Sequence, residues 1–340
     1  VVSIFRYETK ATRPMLRVRE VTTFKEAHTV HEDFEDAERQ VLEAIEIYRK
    51  FFDELGIPYV ISKRPEWDKF AGALYTIAFD TLLPDGKTLQ IGTVHNLGQN
   101  FTRVFEVRIQ KRDETIDYAW QTSYGISERV IASVIAVHGD SKGLVLPFKL
   151  APYQVVVVPI FREQDRDKVI NYAMGIAKEL SDKGLRVYVD LRDDVRPGEK
   201  FYYWEMKGVP LRIEIGPKDV ESGKVVLAFR DNGEKVDVKD GEIVDAVKNG
   251  FEIISKRLYE RAKEFVESRI VACQTLEEAR RVYEKQRGIV SLPWCGDEEC
   301  GMKLMEQLDI PVIGYDEKPC EGTCPCGKPA KTRLYFGRSY

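Results

Sequence analysis

The sequence predicts three successive units. An α+β unit with a largely antiparallel sheet fills residues 1–149, an α/β unit with a mixed sheet fills 150–255, and a small α+β unit fills 256–340. Strand-like runs surround one long helical period in the first part. Two prolines, Pro147 and Pro152, then interrupt the apolar stretch LVLPFKLAPYQ, after which strands and helices alternate. Five of the six cysteines crowd between Cys295 and Cys326, which marks a local site in the third part and not a spread of disulfides.

In the first unit, VVSIF at the start reads as a buried strand. From Glu32 to Leu55, Phe34, Ala37, Val41, Ile45, Tyr48, Phe52 and Leu55 recur at steps of three and four and build one helical face. Gly56 caps that helix and Pro58 forbids its continuation. LYTIAFDTLL and VFEVRI read as strands, with Pro84 to Gly86 as a turn. In the second unit the order is strand Val155 to Ile160, helix Glu163 to Asp182 stopped before Gly184, strand Leu185 to Leu191, and the amphipathic segment EKFYYWEMKG. Strands at Leu211 to Ile215 and Val225 to Arg230 follow. A long helical period from Glu242 through Val247, Phe251, Ile254 and Leu258 leads into the third unit.

A composition of 43% hydrophobic and 32% charged residues over 340 positions argues against disorder, collagen-like sequence and a coiled coil. No apolar run approaches the roughly 18 residues that a membrane helix needs, so no membrane partner is expected. The net charge of −4 means that a polyanion must meet local basic patches. Two such patches exist: Arg6, Lys10, Arg13, Arg17 and Arg19, and the acid-free ending with Lys328, Lys331, Arg333 and Arg338. The chain opens without Met or a leader pattern, so the natural protein is expected to extend upstream.

On a strand, Arg6 and Glu8 share a face and present a cation beside an anion, a pairing suited to a polyphosphate and a base or amine; a solvated charged hairpin is the alternative. Cys295 and Cys300 in WCGDEEC, and Cys324 and Cys326 in CPCGK, are two close pairs separated by 23 residues, a structural-zinc spacing with no open position. Cys320 competes for a place in that set and is expected to be free. His28 and His31 stand three apart without a third ligand nearby and read as pocket and surface. His138, at the end of an apolar strand, is either a core histidine or a site wall.

FRYETKATRPMLRVRE, Phe5 to Glu20, resembles motif 2 of the class II aminoacyl-tRNA synthetases. FKEAHT (24–29), KFAGA (69–73), TVHNLGQNF (93–101), HGDSKGLVLP (138–147), RPGEKFYYWEMKGVPLRIEIGPKD (196–219) and the ending LYFGRSY are similar to the prolyl-tRNA synthetases of the archaeal and eukaryotic-like type, in that family's order. The resemblance implies a class II catalytic core, an anticodon-binding domain and a zinc-bearing C-terminal domain. It also implies an enzyme that activates proline with ATP and Mg2+ and charges tRNA(Pro), as a cytoplasmic homodimer whose interface motif 1 belongs upstream.

By the resemblance, Arg6 bridges the α-phosphate and the amino-acid carboxylate, Glu8 reads adenine, and Arg17 meets the γ-phosphate. YGISER supplies Ser127 and the second γ-phosphate arginine, Arg129, while Gln90 and Thr93 hold ATP and its magnesium. Arg6 and Arg129 are the catalytic pair. Val21 stands where an aromatic residue is expected to stack on adenine. The proline pocket falls to Arg6, Phe24, Glu26, His28, Phe70, Thr93 and His95. Apolar contacts there discriminate by only about 1–3 kcal/mol, so cysteine and alanine are expected competitors. The 104 residues between Glu20 and Gly125 are already used by the core, so proofreading is expected to act in trans. In the anticodon domain, Arg212 and Glu214 alternate with apolar residues on one strand and offer a face for base edges, with Arg196 and Lys200 at phosphates; a solvated edge is the alternative. The chain's end, Tyr340, is implied to fold back and buttress the active site through its carboxylate. A non-catalytic tRNA-binding relative and another class IIa synthetase are the competing readings. The ATP arginines speak against the first, and the pocket motifs with the cysteine segment against the second.

Overall fold

In the computed structural model, which describes residues 1–9 and 11–340, the chain divides into two compact units. One comprises residues 1–52, 57–137 and 263–340; the other comprises 53–56 and 138–262. Lys10 lies outside the described residues. This division differs from three consecutive units because the cysteine-bearing segment shares a sheet with the first part. Among the described residues, ten strands run in the order Val2–Phe5, Glu20–His31, Trp120–Ser127, Thr88–Gly98, Tyr75–Leu82, Val60–Lys63, Val312–Tyr315, Thr332–Phe336, Ile289–Trp294, Ile270–Ala272. All neighbours pair antiparallel except the last two, and the seam joining the two sequence regions is the pairing of Tyr315 with Lys63.

The helix Phe34–Glu54 covers this sheet with much of the predicted face: Ala37, Val41, Tyr48 and Phe52 are buried, whereas Phe34 is exposed and Ile45 only half-buried, with Ala44 buried in its place. Asp33 caps its start, accepting the Asp36 amide at 2.8 Å. Phe52 packs on Phe79 and Tyr59, and Tyr48 meets Tyr124 edge-on, so the helix stands directly behind the strands that carry the candidate site. Under the sheet, Arg64 Nη2 donates to both oxygens of Asp80 at 3.1 and 3.0 Å, and both residues are buried. Burial, the larger influence, raises the Asp80 pKa against the pull of Arg64. Asp80→Ala leaves the buried guanidinium with only the exposed Asp68, 3.9 Å from its Nε, and is expected to cost about 3 kcal/mol, read as a lowered thermal unfolding midpoint.

In the other unit, five strands run Val187–Val189, Val155–Pro159, Leu211–Ile215, Lys224–Phe229, Lys235–Lys239. The first three are mutually parallel and the rest antiparallel, giving the mixed sheet expected. Val155, Val157, Leu211, Ile213 and Ile215 meet Val169, Ala173 and Leu180 of the helix Arg166–Asp182 in one apolar core, joined by Val247, Phe251 and Ile254 of the helix Ile243–Glu267. The segment EKFYYWEMKG belongs to the helix Pro197–Lys207, with Pro197 in the first turn and Gly208 ending it at φ +73°.

Several local expectations are corrected. VVSIF forms the sheet's edge strand and is not buried: Val2 and Phe5 are 59% and 76% exposed. VFEVRI is the end of the helix Asn100–Val104, a turn with Glu106 at φ +55°, and the short strand Arg108–Gln110. The strand expected over Leu185 to Leu191 keeps only Val187–Val189, and Leu191 is exposed. Lys235–Lys239 is a strand that its polar residues concealed. His138 ends a helix, Arg129–His138, rather than a strand, and is a core histidine: it is fully buried and its Nε2 bonds the Leu55 carbonyl at 2.8 Å.

Candidate active site and cysteine centre

The central strands border a cavity of about 230 Å³. Thr88–Gly98 contributes Gln90, Thr93 and His95. Glu20–His31 contributes Phe24 and Glu26, and Trp120–Ser127 with its following turn contributes Ser127 and Arg129. Arg6 and Phe70 close the rim. Nine of the twelve residues expected at the amino-acid and nucleotide sites therefore line one cavity. The other three do not line it: Glu8 is half-buried, His28 is exposed with its Nε2 3.5 Å from Glu26, and Arg17 lines another cavity. The strand Val2–Phe5 stops before Arg6, so Arg6 and Glu8 do not share a strand face; the Arg6 amide still donates to the Arg19 carbonyl at 2.9 Å.

Arg129 is held across the cavity, its Nε donating to the Leu16 carbonyl at 2.8 Å. Burial and the nearby charges of Arg6 and Arg17 lower its pKa, so three guanidiniums concentrate where an anion is needed. His95 is pinned at both nitrogens, by Thr76 Oγ1 at 2.8 Å and Thr93 Oγ1 at 3.1 Å, and its ring lies 5.1 Å from that of Phe70. Burial pulls its pKa down to about 4, so it is neutral at pH 7. Glu26 accepts Ser123 Oγ at 3.1 Å and faces the cavity beside Phe24. His31 bonds Asp36 at 3.0 Å and Thr29 at 2.7 Å, and has no metal role in this arrangement.

Val21 and residues that sequence reading passed over complete the lining. Met15, Leu16, Val18 and Val21 form one wall, and Val21 is itself 5% exposed. Gly92 and Gly125 form the floor; a Cβ on Gly92 would meet Phe52 at 3.2 Å, and a glycine inside an apolar strand was the available signal. Glu128 is buried, faces the cavity, and its Oε2 has no hydrogen-bond partner among the described residues.

The anticodon expectations are corrected in placement. Leu211–Ile215 is an inner strand, so its polar face is covered. Arg212 donates to Glu214 at 2.9 Å and lies 4.2 Å over the Phe201 ring, while Glu214 also accepts Lys235 at 2.8 Å. Lys200 is buried and donates to the Asp190 carbonyl at 3.0 Å. Only Arg196, just before the helix Pro197–Lys207, is exposed.

Cys295, Cys300, Cys324 and Cys326 converge, with their sulfurs all within 4.8 Å of one another. Cys300 and Cys324 are 3.5 Å apart, and Cys326 and Cys295 3.7 Å. A tetrahedral ion with bonds of about 2.3 Å spaces its thiolates at roughly 3.8 Å, so the four could hold zinc. Asp297 caps the helix Glu298–Leu308 and accepts the Cys300 amide at 2.9 Å, and Gly327 turns the second pair at φ +89°. The Lys328 amide helps hold the Cys326 thiol down at about 7, while burial raises Cys300 and Cys324. Cys320 stands outside, its Sγ against the Glu321 carbonyl.

Residues 1–138 match the family described as tRNA synthetase class II core domain (G, H, P, S and T), residues 154–250 the anticodon binding domain, and residues 276–340 Prolyl-tRNA synthetase, C-terminal. The chain is 58% identical to the proline-tRNA ligase of Aeropyrum pernix, an alignment covering all of this chain and 72% of that protein. The chain belongs to the prolyl-tRNA synthetases. The Pyrococcus horikoshii proline-tRNA ligase is 53% identical over the same shares. A solved Giardia lamblia prolyl-tRNA synthetase in complex with prolyl-adenylate superposes with a TM-score of 0.94 at 31% identity, covering all of this chain and 73% of that one. The prolyl-tRNA synthetase core thus has the class II fold that its motif 2 implied. No helix among the described residues is long and apolar enough to cross a membrane.

The buried His138 and the half-buried His95 of this synthetase predict a pH dependence. His95 and His138 titrate near 4 when folded, below the ordinary 6.5 of the unfolded chain, so both are better accommodated neutral. Their contribution to stability is present above pH 6.5. It is lost as pH falls from 6.5 toward 4, where the unfolded chain binds protons that the folded chain refuses. The unfolding midpoint is expected to drop across that window, and His95→Gln to flatten the drop, in thermal melts at pH 7 and pH 5.

Proposed function

We propose that the chain activates L-proline with ATP to prolyl-adenylate and pyrophosphate, and transfers proline to the 3′ end of tRNA(Pro). The observation that carries this is the gathering of Arg6, Phe24, Glu26, His95 and Arg129 around one cavity. A proline carboxylate oxygen attacks the α-phosphorus, and the bond from that phosphorus to the β-phosphate oxygen breaks, its electron pair leaving with pyrophosphate. Arg6 and Arg129 face the charge that develops, and the remaining catalysis is positioning. Glu26 is read as the partner of the secondary ammonium. Phe24 and Phe70 are read as walls for the ring. His95, neutral and pinned by two threonines, is read as a shape-defining wall that adds no competing charge.

Glu128, with its buried unpartnered oxygen, and Gln90 offer the oxygen donors that magnesium prefers, and fit that ion. Bound there with ATP, magnesium would neutralise part of the polyphosphate charge. The four thiolates are proposed to hold a structural zinc. Exposed Arg196 is retained as a phosphate contact for the anticodon arm, while Glu8 and Arg17 are assigned to adenine and the γ-phosphate. The intact protein is proposed to work as a cytoplasmic homodimer, with any proofreading of alanine and cysteine errors carried out in trans by another protein.

The test is aminoacylation with labelled amino acids and a tRNA(Pro) transcript. Acid-precipitable proline is expected, with threonine and glycine at background. Charging with one of those and not with proline would replace this reading.

A further inference from the structure

Thr76, on the strand Tyr75–Leu82, stands directly opposite His95 on the neighbouring strand Thr88–Gly98 and is only 3% exposed. Its hydroxyl oxygen lies 3.0 Å from the Phe70 amide nitrogen and 2.8 Å from His95 Nδ1, and among the described residues it has no further hydrogen-bond partner. These two contacts fix where the hydrogens are. A backbone amide can only donate, so Phe70 occupies one lone pair of the hydroxyl. The hydroxyl's own hydrogen is buried with a single acceptor in reach, His95 Nδ1. Were Nδ1 to carry a hydrogen instead, the Thr76 hydrogen would be buried with nothing to receive it, which is the costly arrangement. His95 is neutral at pH 7, because burial outweighs the nearby charge of Glu26, so its one ring hydrogen sits on Nε2. Nε2 then donates to Thr93 Oγ1 at 3.1 Å. Thr93 lines the cavity, and among the described residues no acceptor takes its hydroxyl hydrogen.

We propose that Thr76 is a positioning residue for the reaction: by donating to His95 Nδ1 it holds the ring as the Nε2–H tautomer, which leaves the Thr93 hydroxyl to donate its hydrogen to an anionic oxygen of the substrates. The proposal rests on the activation reaction proposed above. Both substrates supply such an oxygen, on the proline carboxylate and on the α-phosphate of ATP. In the opposite tautomer Thr93 would donate to Nε2 and meet that oxygen with lone pairs alone, turning an attraction into a repulsion. The same Thr76 hydroxyl receives the amide of Phe70, a wall of the proposed ring pocket. One buried side chain behind the cavity therefore fixes both a wall and the direction of a hydrogen bond.

The test joins NMR of the ring nitrogens in histidine-labelled protein, with His95→Gln identifying the signal, to proline-dependent ATP–pyrophosphate exchange by the unmodified chain, Thr76→Val and Thr76→Ser. In the unmodified chain at pH 7, His95 is expected to carry its hydrogen on Nε2 and none on Nδ1. Thr76→Val keeps the shape and removes the hydroxyl; it is expected to lose that single tautomer and to lower kcat/KM in exchange about tenfold or more. Thr76→Ser keeps the hydroxyl and should restore both. A rise in KM for proline assigns the Thr93 hydrogen to the carboxylate, and a rise in KM for ATP assigns it to the phosphate. A hydrogen on Nδ1 in the unmodified chain overturns the proposal, whether or not the variants fold. So does a folded Thr76→Val with unchanged tautomer and unchanged exchange, or a Thr76→Ser as impaired as Thr76→Val. Absence of proline-dependent exchange by the unmodified chain, with its Nε2–H form in place, overturns the proposed activity instead.

Discussion

Arg129→Ala is expected to lower proline-dependent ATP–pyrophosphate exchange about 1,000-fold or more, the scale of losing an arginine that meets charge developing on a phosphoryl group. The half-buried guanidinium is fixed by the Leu16 carbonyl at 2.8 Å, and the charges of Arg6 and Arg17 act on it more strongly than the carboxylates of Glu128 and Asp80. That arrangement is unfavourable without an anion and favourable with one, which makes the residue a transition-state contact and not a structural one. Arg129→Lys is expected to recover little, because an ammonium cannot keep the carbonyl contact and also fork toward phosphate oxygens. Thermal unfolding should move little, since removing a cation from among cations relieves repulsion. Retention of more than about a tenth of the exchange rate would refute the assignment.

The second large effect is expected at the cysteine centre. Cys324 is 1% exposed and 3.5 Å from Cys300, so Cys324→Ser should take bound zinc from about one per chain to none. Structural zinc in small peptides contributes apparent binding energies of about 10–16 kcal/mol, so metal loss should unravel the local packing and not merely loosen it. Trp294 reports the change directly: it donates to the Asp297 carbonyl at 3.0 Å beside the cluster, and packs edge-on to Trp67. Its fluorescence is expected to shift red on chelation. Cys320→Ser is the control and should keep full zinc, because that sulfur lies outside the cluster. Zinc lost from Cys320→Ser and kept by Cys324→Ser would exchange the two assignments.

Much of this was legible because periodicity and spacing are local. The helical face from Phe34 to Phe52, the mixed sheet after Pro152 and the convergence of four cysteines follow from patterns a few residues long. What stayed hidden depends on contacts distant in sequence. Nothing near Tyr315 announces that it pairs with Lys63 and fuses the cysteine segment to the first sheet. Alternation in Leu211–Ile215 revealed two faces, but whether the polar one meets solvent depends on the helix Pro197–Lys207, which lays Phe201 under Arg212. Glu128 looked like one more motif residue until burial left one of its oxygens without a partner.

The most direct test of the central claim is exchange of labelled pyrophosphate into ATP by the protein, with proline, threonine, glycine and cysteine as separate amino-acid substrates. The account predicts exchange that depends on proline, with cysteine weakly active through the same apolar pocket and threonine and glycine at background. Proline-dependent exchange at background, from protein whose zinc content and thermal unfolding show it to be folded, would contradict it.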